Sequence, residues 1–246
     1  MVQIDLAAIS VREANEKIRE YGAQGERIDI LNPDARHHIG VGLISPVDVH
    51  VHGSAGYFCG GLTDQARFEV DANVGWGVGD NMYTGSVVVR GNAGAIPGVA
   101  IRGAEIMIHG NMGSRAGQVM KAGTLCCAGN ANFMAGYMMY GGRIIILGES
   151  GERVGEDMSA GEIYVAGKIP SVGSDAEITD MTGAEADSVR EFLDRYEVPF
   201  KGTLQKVTNA GNKLRYAKSE KKEKKKGRKK NKGEKKNKEQ KRQKKK

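Results

Sequence analysis

Two columns of apolar residues recur through residues 47–176 with a period of nineteen. One column holds Val51, Val70, Val89, Ile108, Cys127, Ile146 and Val165; the other, two residues earlier, holds Val49, Phe68, Val87, Ile106, Leu125, Ile144 and Ile163. Residues two apart on an extended chain share a face, so each repeat is predicted to carry one short strand with both side chains turned inward. Met82, Ile101, Met120, Met139 and Met158 form a third apolar column, and the smaller Cys59, Val78, Pro97, Ala116, Ala135 and Val154 a fourth. Each repeat therefore offers about three short inward sides. Nineteen residues leave no room for two helices and their turns, and the Leu/Asn template of leucine-rich repeats is absent. A fixed period of this size marks a solenoid whose repeats bury their apolar faces against one another. The predicted fold is an all-β solenoid, a single-stranded β-helix of about seven coils stacked by parallel pairing, roughly 34 Å long at ~4.8 Å per coil.

Glycine punctuates the same register. Steps of nineteen from Gly53 reach Ala72, Gly91, Gly110, Gly129, Gly148 and Gly167. Three residues further on lie Gly56, Gly75, Gly94, Gly113, Asn132 and Gly151; seven further on lie Gly60, Gly79, Gly98, Gly117, Gly136 and Gly155. A sparser column holds Gly85, Gly123, Gly142 and Gly161. Glycine reaches positive φ without a Cβ clash, so these positions are expected to be corners. Asn73, Asn92, Asn111 and Asn130 directly follow the first column. Asparagine tolerates the left-handed region and stacked amides hydrogen-bond along an axis, so an asparagine ladder is expected there.

The flanks break the period. Residues 1–46 read as a strand-helix cap: Ile4-Asp5-Leu6 is a short strand, and Ser10 with Glu13 forms a capping box. A helix of about eleven residues then ends at Gly22, its apolar face made by Val11, Ala14, Ile18 and Tyr21. Ile28-Asp29-Ile30 alternates as a strand before the turn Asn32-Pro33-Asp34. Residues 177–217 read as a helix-and-strand cap, with a second capping box at Thr182 and Glu185 and an apolar stripe of Val189, Phe192, Leu193 and Tyr196. Covering the open strand edges at the solenoid ends is the expected task of both segments.

Charge divides the chain unevenly. The formal net charge is +7, but residues 218–246 alone carry 18 Lys/Arg and 4 Glu, leaving residues 1–217 at −7. A segment this polar buries no core and is expected to be disordered. Loose contact with nucleic acid or an acidic surface is its functional reading, weakened by the lack of aromatic residues that could stack on bases. With no membrane-length apolar run and no signal peptide, a cytoplasmic protein is expected.

Candidate chemistry is sparse. Cys59, Cys126 and Cys127 give no disulfide framework; Cys126 and Cys127 point to opposite faces of one strand, with Cys127 inward. Gly75-Trp76-Gly77-Val78-Gly79 resembles a dinucleotide fingerprint in its spacing alone, because no helix follows the glycines. His52 and His109 share an outward column three coils, about 14 Å, apart, too far for one metal. His50 and His52 lie on one face of one strand but have no evident third ligand, so they are read as exposed or interface histidines. No catalytic, cofactor-binding or metal-binding residue is assigned. One outward column, His50, Glu69, Val88, Met107, Cys126, Ile145 and Tyr164, turns apolar in its middle. Exposed apolar stripes mark contact surfaces, so Val88, Met107 and Ile145 are expected to meet either a partner protein or the chain's own flanking helix.

The repeat, with its Gly-x-Gly-x-x-x-Gly punctuation, resembles the GXGXG domain, the right-handed β-helix at the C-terminal end of the glutamate synthase large chain. Val78-Gly79-Asp80-Asn81-Met82, Gly91-Asn92-Ala93-Gly94, Gly113-Ser114-Arg115-Ala116-Gly117 and Tyr164-Val165-Ala166-Gly167-Lys168-Ile169 carry the likeness. Free-standing members form separate small subunits, and the likeness is nearest to those of the methylamine–glutamate N-methyltransferases (N-methylglutamate synthases); the related β-helical subunit of formylmethanofuran dehydrogenase shares the repeat. It spans roughly residues 3–216, leaving out the lysine-rich tail. The resemblance implies a module without an active site. Glutamine hydrolysis would belong to an amidotransferase-type partner, and the synthase step to a partner carrying FMN and an iron–sulfur cluster. A stand-alone β-helix enzyme or carbohydrate-binding module is the alternative of another class.

Overall fold

In the computed structural model, residues 1–211 are described, and Met1–Asn209 pack as one compact unit. The expected tail disorder concerns residues outside those described. Along the chain run β1 (Val2–Asp5), α1 (Val11–Gly22), β2 (Ile28–Leu31), β3 (Val47–Val51), β4 (Ala66–Val70), β5 (Ser86–Val89) and β6 (Arg102–Ile108). There follow β7 (Ala122–Cys127), β8 (Arg143–Ile146), β9 (Glu162–Val165), β10 (Ala176–Thr179), α2 (Gly183–Arg195) and β11 (Gln205–Asn209). The strands form one sheet in the order β1-β2-β3-β4-β5-β6-β7-β8-β9-β11-β10. Strands β1 to β9 pair in parallel, and β3 to β9 supply one rung per coil, so the protein is a β-solenoid of about seven turns.

The nineteen-residue period is the register itself: Val49 pairs with Phe68, Phe68 with Val87, and Val87 with Ile106. Both apolar columns of the strand point inward and are at most 2% exposed. A second side of the coil is laced by isolated parallel bridges from Ala55 to Val74, Ala93, Met112 and Ala131. The methionine column belongs to the same buried core, where unbranched side chains adapt to an irregular interior. Filling the tube this way removes apolar surface from water at roughly 25 cal/mol per Å², the main force holding coil on coil.

The corner glycines work in two ways, which corrects the expectation that all of them need positive φ. Gly60, Gly79, Gly98, Gly117, Gly136 and Gly155 have φ between 64° and 74°. Gly110 lies outside the left-handed region; a Cβ there would sit 2.5 Å from Asn92 Oδ1 and 2.7 Å from the Gly91 carbonyl oxygen. From Gly91 to Gly167 this column needs glycine because successive coils approach too closely for a side chain, whereas Ala72 earlier in the column carries one. That approach is what lets the asparagines connect. The backbone N–H groups of Asn92, Asn111 and Asn130 donate to Oδ1 of Asn73, Asn92 and Asn111 at 2.8, 2.8 and 2.7 Å.

Both helices start at complete capping boxes, Ser10 with Glu13 and Thr182 with Glu185. Helix α1 buries Ala14 and Ile18 against the N-terminal end, while β1 and β2 extend the parallel sheet beyond the first coil. At the other end β11 runs antiparallel between β9 and β10. Helix α2 does not cap an end. Its Val189, Phe192 and Leu193 lie on the outer face of the sheet and form a second core with Met107, Cys126, Ile145 and Tyr164. Met107 and Ile145 are fully buried there, so neither belongs to a partner surface. Of that set only Val88 keeps partial exposure. The apolar stripe and the apolar helix face are complementary halves of one contact within the chain.

Polar contacts fix the helix in place. Glu105 accepts from Arg195 and from Tyr196 Oη, both at 2.9 Å. Lys206 donates to Glu185 at 2.7 Å, holding that carboxyl down at about 2. Burial, then the Glu105 carboxylate, pushes the Tyr196 phenol upward.

Candidate functional site

The outer face of β3, β4 and β5 is not covered by α2 and carries charge. Alternation along each strand sends Asp48, His50, Arg67, Glu69 and Val88 outward. They line a shallow groove together with Arg27 and Arg90. Arg67 grips Asp48 through two bonds of 2.5 and 2.9 Å, which lowers the carboxyl below its ordinary range. Arg90 reaches Glu69 at 2.6 Å and His109 at 3.1 Å. Burial first, and the Arg90 charge second, lower the His109 pKa.

At the rim of this groove four titratable side chains from three successive rungs meet. His50 on β3 and His52 just past its end lie together on the outer face, their rings 4.0 Å apart. Asp29 on β2 stands opposite His50 in the parallel register and is buried. Its Oδ1 lies 3.0 Å from His52 Nε2 and 3.7 Å from His50 Nδ1. Asp71, just past β4, approaches from the other side, with Oδ1 2.6 Å from His50 Nε2 and Oδ2 3.4 Å from His52 Nδ1. Asp29, His50 and His52 are the group of described residues whose donor atoms converge closely enough to hold a metal, all within 4.8 Å. Sequence reasoning found the two histidines and missed both carboxylates. The repeat pairs residues nineteen apart, whereas Asp29 and His50 are twenty-one apart because β2 lies outside the repeat. Asp71 was within reach of the nineteen-residue rule, since it occupies the same column as His52.

Exposed aromatic residues and the cysteines lie apart from this cluster. Tyr57 and Trp76 stack at 5.4 Å, with His37 on Tyr57 at 4.3 Å, while Tyr83 lies elsewhere against Arg102. Cys127 lies in the coil interior and Cys126 under α2, on opposite faces of β7. Burial pushes Cys59 and Cys126 up to about 12 and Cys127 well above the ordinary thiol range, so all three behave as small apolar side chains.

Fold and surface together define a parallel β-solenoid with a filled core, one half of its outer sheet face sealed by its own helix and the other half left charged. Its sequence is similar to Protein GlxC of Rhizobium meliloti (strain 1021), with 37% identity over 91 residues. The aligned part is 36% of this chain and 40% of that relative. No family model matches the chain. Among the described residues, no helix is long and apolar enough to cross a membrane.

Proposed function

We propose that this chain is a non-catalytic scaffold subunit of a cytoplasmic glutamate synthase-type complex, one built like methylamine–glutamate N-methyltransferase. In this reading a glutamine amidotransferase-type subunit hydrolyses glutamine, and a synthase-type subunit with FMN and an iron–sulfur cluster carries out the synthase step with ammonia or methylamine. The observation that carries the reading is the solenoid itself. Its interior is occupied by apolar side chains from end to end, so any working surface lies outside, along a rod held rigid by continuous parallel pairing. Such a rod suits the holding of two larger subunits at a fixed separation. The GXGXG-like motifs supply the class of complex. The test is co-expression with a glutamine amidotransferase-type subunit and a flavin-dependent synthase-type subunit. A stable ternary complex is expected, with the isolated chain colourless and inactive on glutamine. Flavin bound to the isolated chain, or its failure to join the complex, would end the proposal.

A carbohydrate-binding face is the second reading, and it rests on the exposed stack of Tyr57 on Trp76. Sugar rings lie flat on such platforms. Retention on an insoluble polysaccharide, lost in Trp76→Ala, would favour it over the scaffold.

A further inference from the structure

The four-residue cluster at the groove rim has an order that charge pairing alone does not require. One carboxylate, Asp71, faces a nitrogen of each imidazole: Nε2 of His50 at 2.6 Å and Nδ1 of His52 at 3.4 Å. A neutral imidazole carries one N–H and one lone pair. When both N–H groups turn to Asp71, which for His52 means giving up the 3.0 Å hydrogen bond from Nε2 to Asp29 Oδ1, the lone pairs fall on His50 Nδ1 and His52 Nε2, the two atoms that face Asp29. A carboxylate behind a ligating histidine is the usual device for fixing its tautomer and raising its basicity. Here one carboxylate serves two rings.

Two of the three donor separations match a small cation, and all three donor atoms lie within 4.8 Å of one another. Ligands about 2.0–2.1 Å from a tetrahedral zinc ion stand roughly 3.3 Å from each other. The separations from Asp29 Oδ1 to the two nitrogens, 3.0 and 3.7 Å, bracket that value. A cation is already drawn to the spot. The Arg27 guanidinium lies 3.0 Å from His50 Nδ1 and 4.0 Å from Asp29, on a side chain 53% exposed that can swing into solvent. We propose that Asp29, His50 and His52 bind a divalent transition metal ion of the zinc class. Asp71 positions both histidines, and Arg27 competes with the ion. Two nitrogens and one carboxylate oxygen leave a fourth position open to water or to a partner's side chain. Asp29 belongs to the N-terminal strands and both histidines to the first coil, so the ion would staple the cap to the rod. This site is independent of the scaffold reading.

Titration of the full chain with cobalt(II) chloride, followed by zinc displacement, tests the site. One ion per chain is expected, with the visible absorption of a four-coordinate cobalt centre that zinc abolishes. His52→Ala and Asp29→Asn should each eliminate that absorption. Asp71→Asn should weaken affinity about 10- to 100-fold, as loss of a carboxylate behind a ligand does. Arg27→Met should strengthen binding several-fold, an effect a purely structural change would not give. Far-UV circular dichroism should show His52→Ala and Arg27→Met folded, because both side chains point outward, and checks the fold of the other variants. Absence of saturable binding, or binding unchanged in the His50→Ala/His52→Ala variant, overturns the proposal. So does an Arg27→Met variant that binds more weakly than the parent chain.

Discussion

The outer face of the sheet is built from one strand position repeated, yet its two halves have opposite character. In β3, β4 and β5 that position holds His50, Glu69 and Val88; in β6 to β9 it holds Met107, Cys126, Ile145 and Tyr164. At this position the nineteen-residue register is the same on both sides of the change, the one irregularity being the shift between Arg102 and Glu105 earlier in β6. What differs is the neighbour. The second half lies beneath Val189, Phe192 and Leu193 of α2 and is dry, while the first half meets solvent and is laced by Arg67 with Asp48 and Arg90 with Glu69. In a solenoid the inward columns must be apolar in every coil, because neighbouring coils bury them. The outward column is free to follow whatever covers it.

The sharpest way to break this comparison is to place the same charge in the same column on either side. Met107→Glu should cost on the order of 3–5 kcal/mol, because it leaves an unpaired carboxylate in a dry contact. Val88→Glu should change stability by less than about 1 kcal/mol, as surface substitutions generally do. Thermal unfolding of the two variants reads the difference directly. Equal losses would mean that α2 does not shield its half from water.

The corners should ignore the division. Gly91→Ala and Gly148→Ala lie beside the open and the covered half respectively, and in both a Cβ would run into the side-chain oxygen of the asparagine one coil earlier (Asn73, Asn130) and the backbone of the residue before it (Ala72, Gly129). Each should cost about 1–3 kcal/mol, the range for forcing extra atoms into a packed site. Denaturant melts of the pair check this, and a loss at only one would show that the face, and not the coil contact, decides the cost.

Acid should loosen the covered half selectively. Lys206 depresses Glu185 from its ordinary value near 4.5 to about 2. A carboxyl lowered in the folded state stabilises above its unfolded pKa and loses that contribution as pH falls through its folded one. The stability gap between the parent chain and Glu185→Gln should therefore be full above pH 4.5 and shrink towards pH 2. A gap that does not vary with pH would remove this ion pair from the anchoring of α2. The smallest effect belongs to the open half: Glu69→Ala breaks only an exposed pair with Arg90 and should cost about 0.2–1 kcal/mol, less at high salt. Urea melts at two salt concentrations measure it.

Legibility followed periodicity. Val51, Val70 and Val89 were recognisable as one buried column because every coil repeats the same environment nineteen residues on. The capping boxes at Ser10 and Thr182 were equally plain, since their partners lie three residues away. The apolar run from Met107 to Ile145 was visible as an anomaly, and the stripe on α2 was visible too. That the two meet was not, because Arg195 reaches Glu105 across ninety residues with no repeat to set the register.

By itself, then, the sequence determined the coil: its period, its inward columns, its asparagine corner and the helices that flank it. These features depend on contacts between residues at fixed, short or repeating separations, which a pattern can encode. Only the tertiary structure decided which way each flank turns. It laid α2 along the side of the rod and not across its end, burying Met107 and Ile145. It also paired β2 with β3 at an offset of twenty-one residues, setting Asp29 against His50 and His52. Both outcomes come from a single, unrepeated docking of a cap on the rod. A one-time contact is set by the complementarity of two whole surfaces and leaves no period behind.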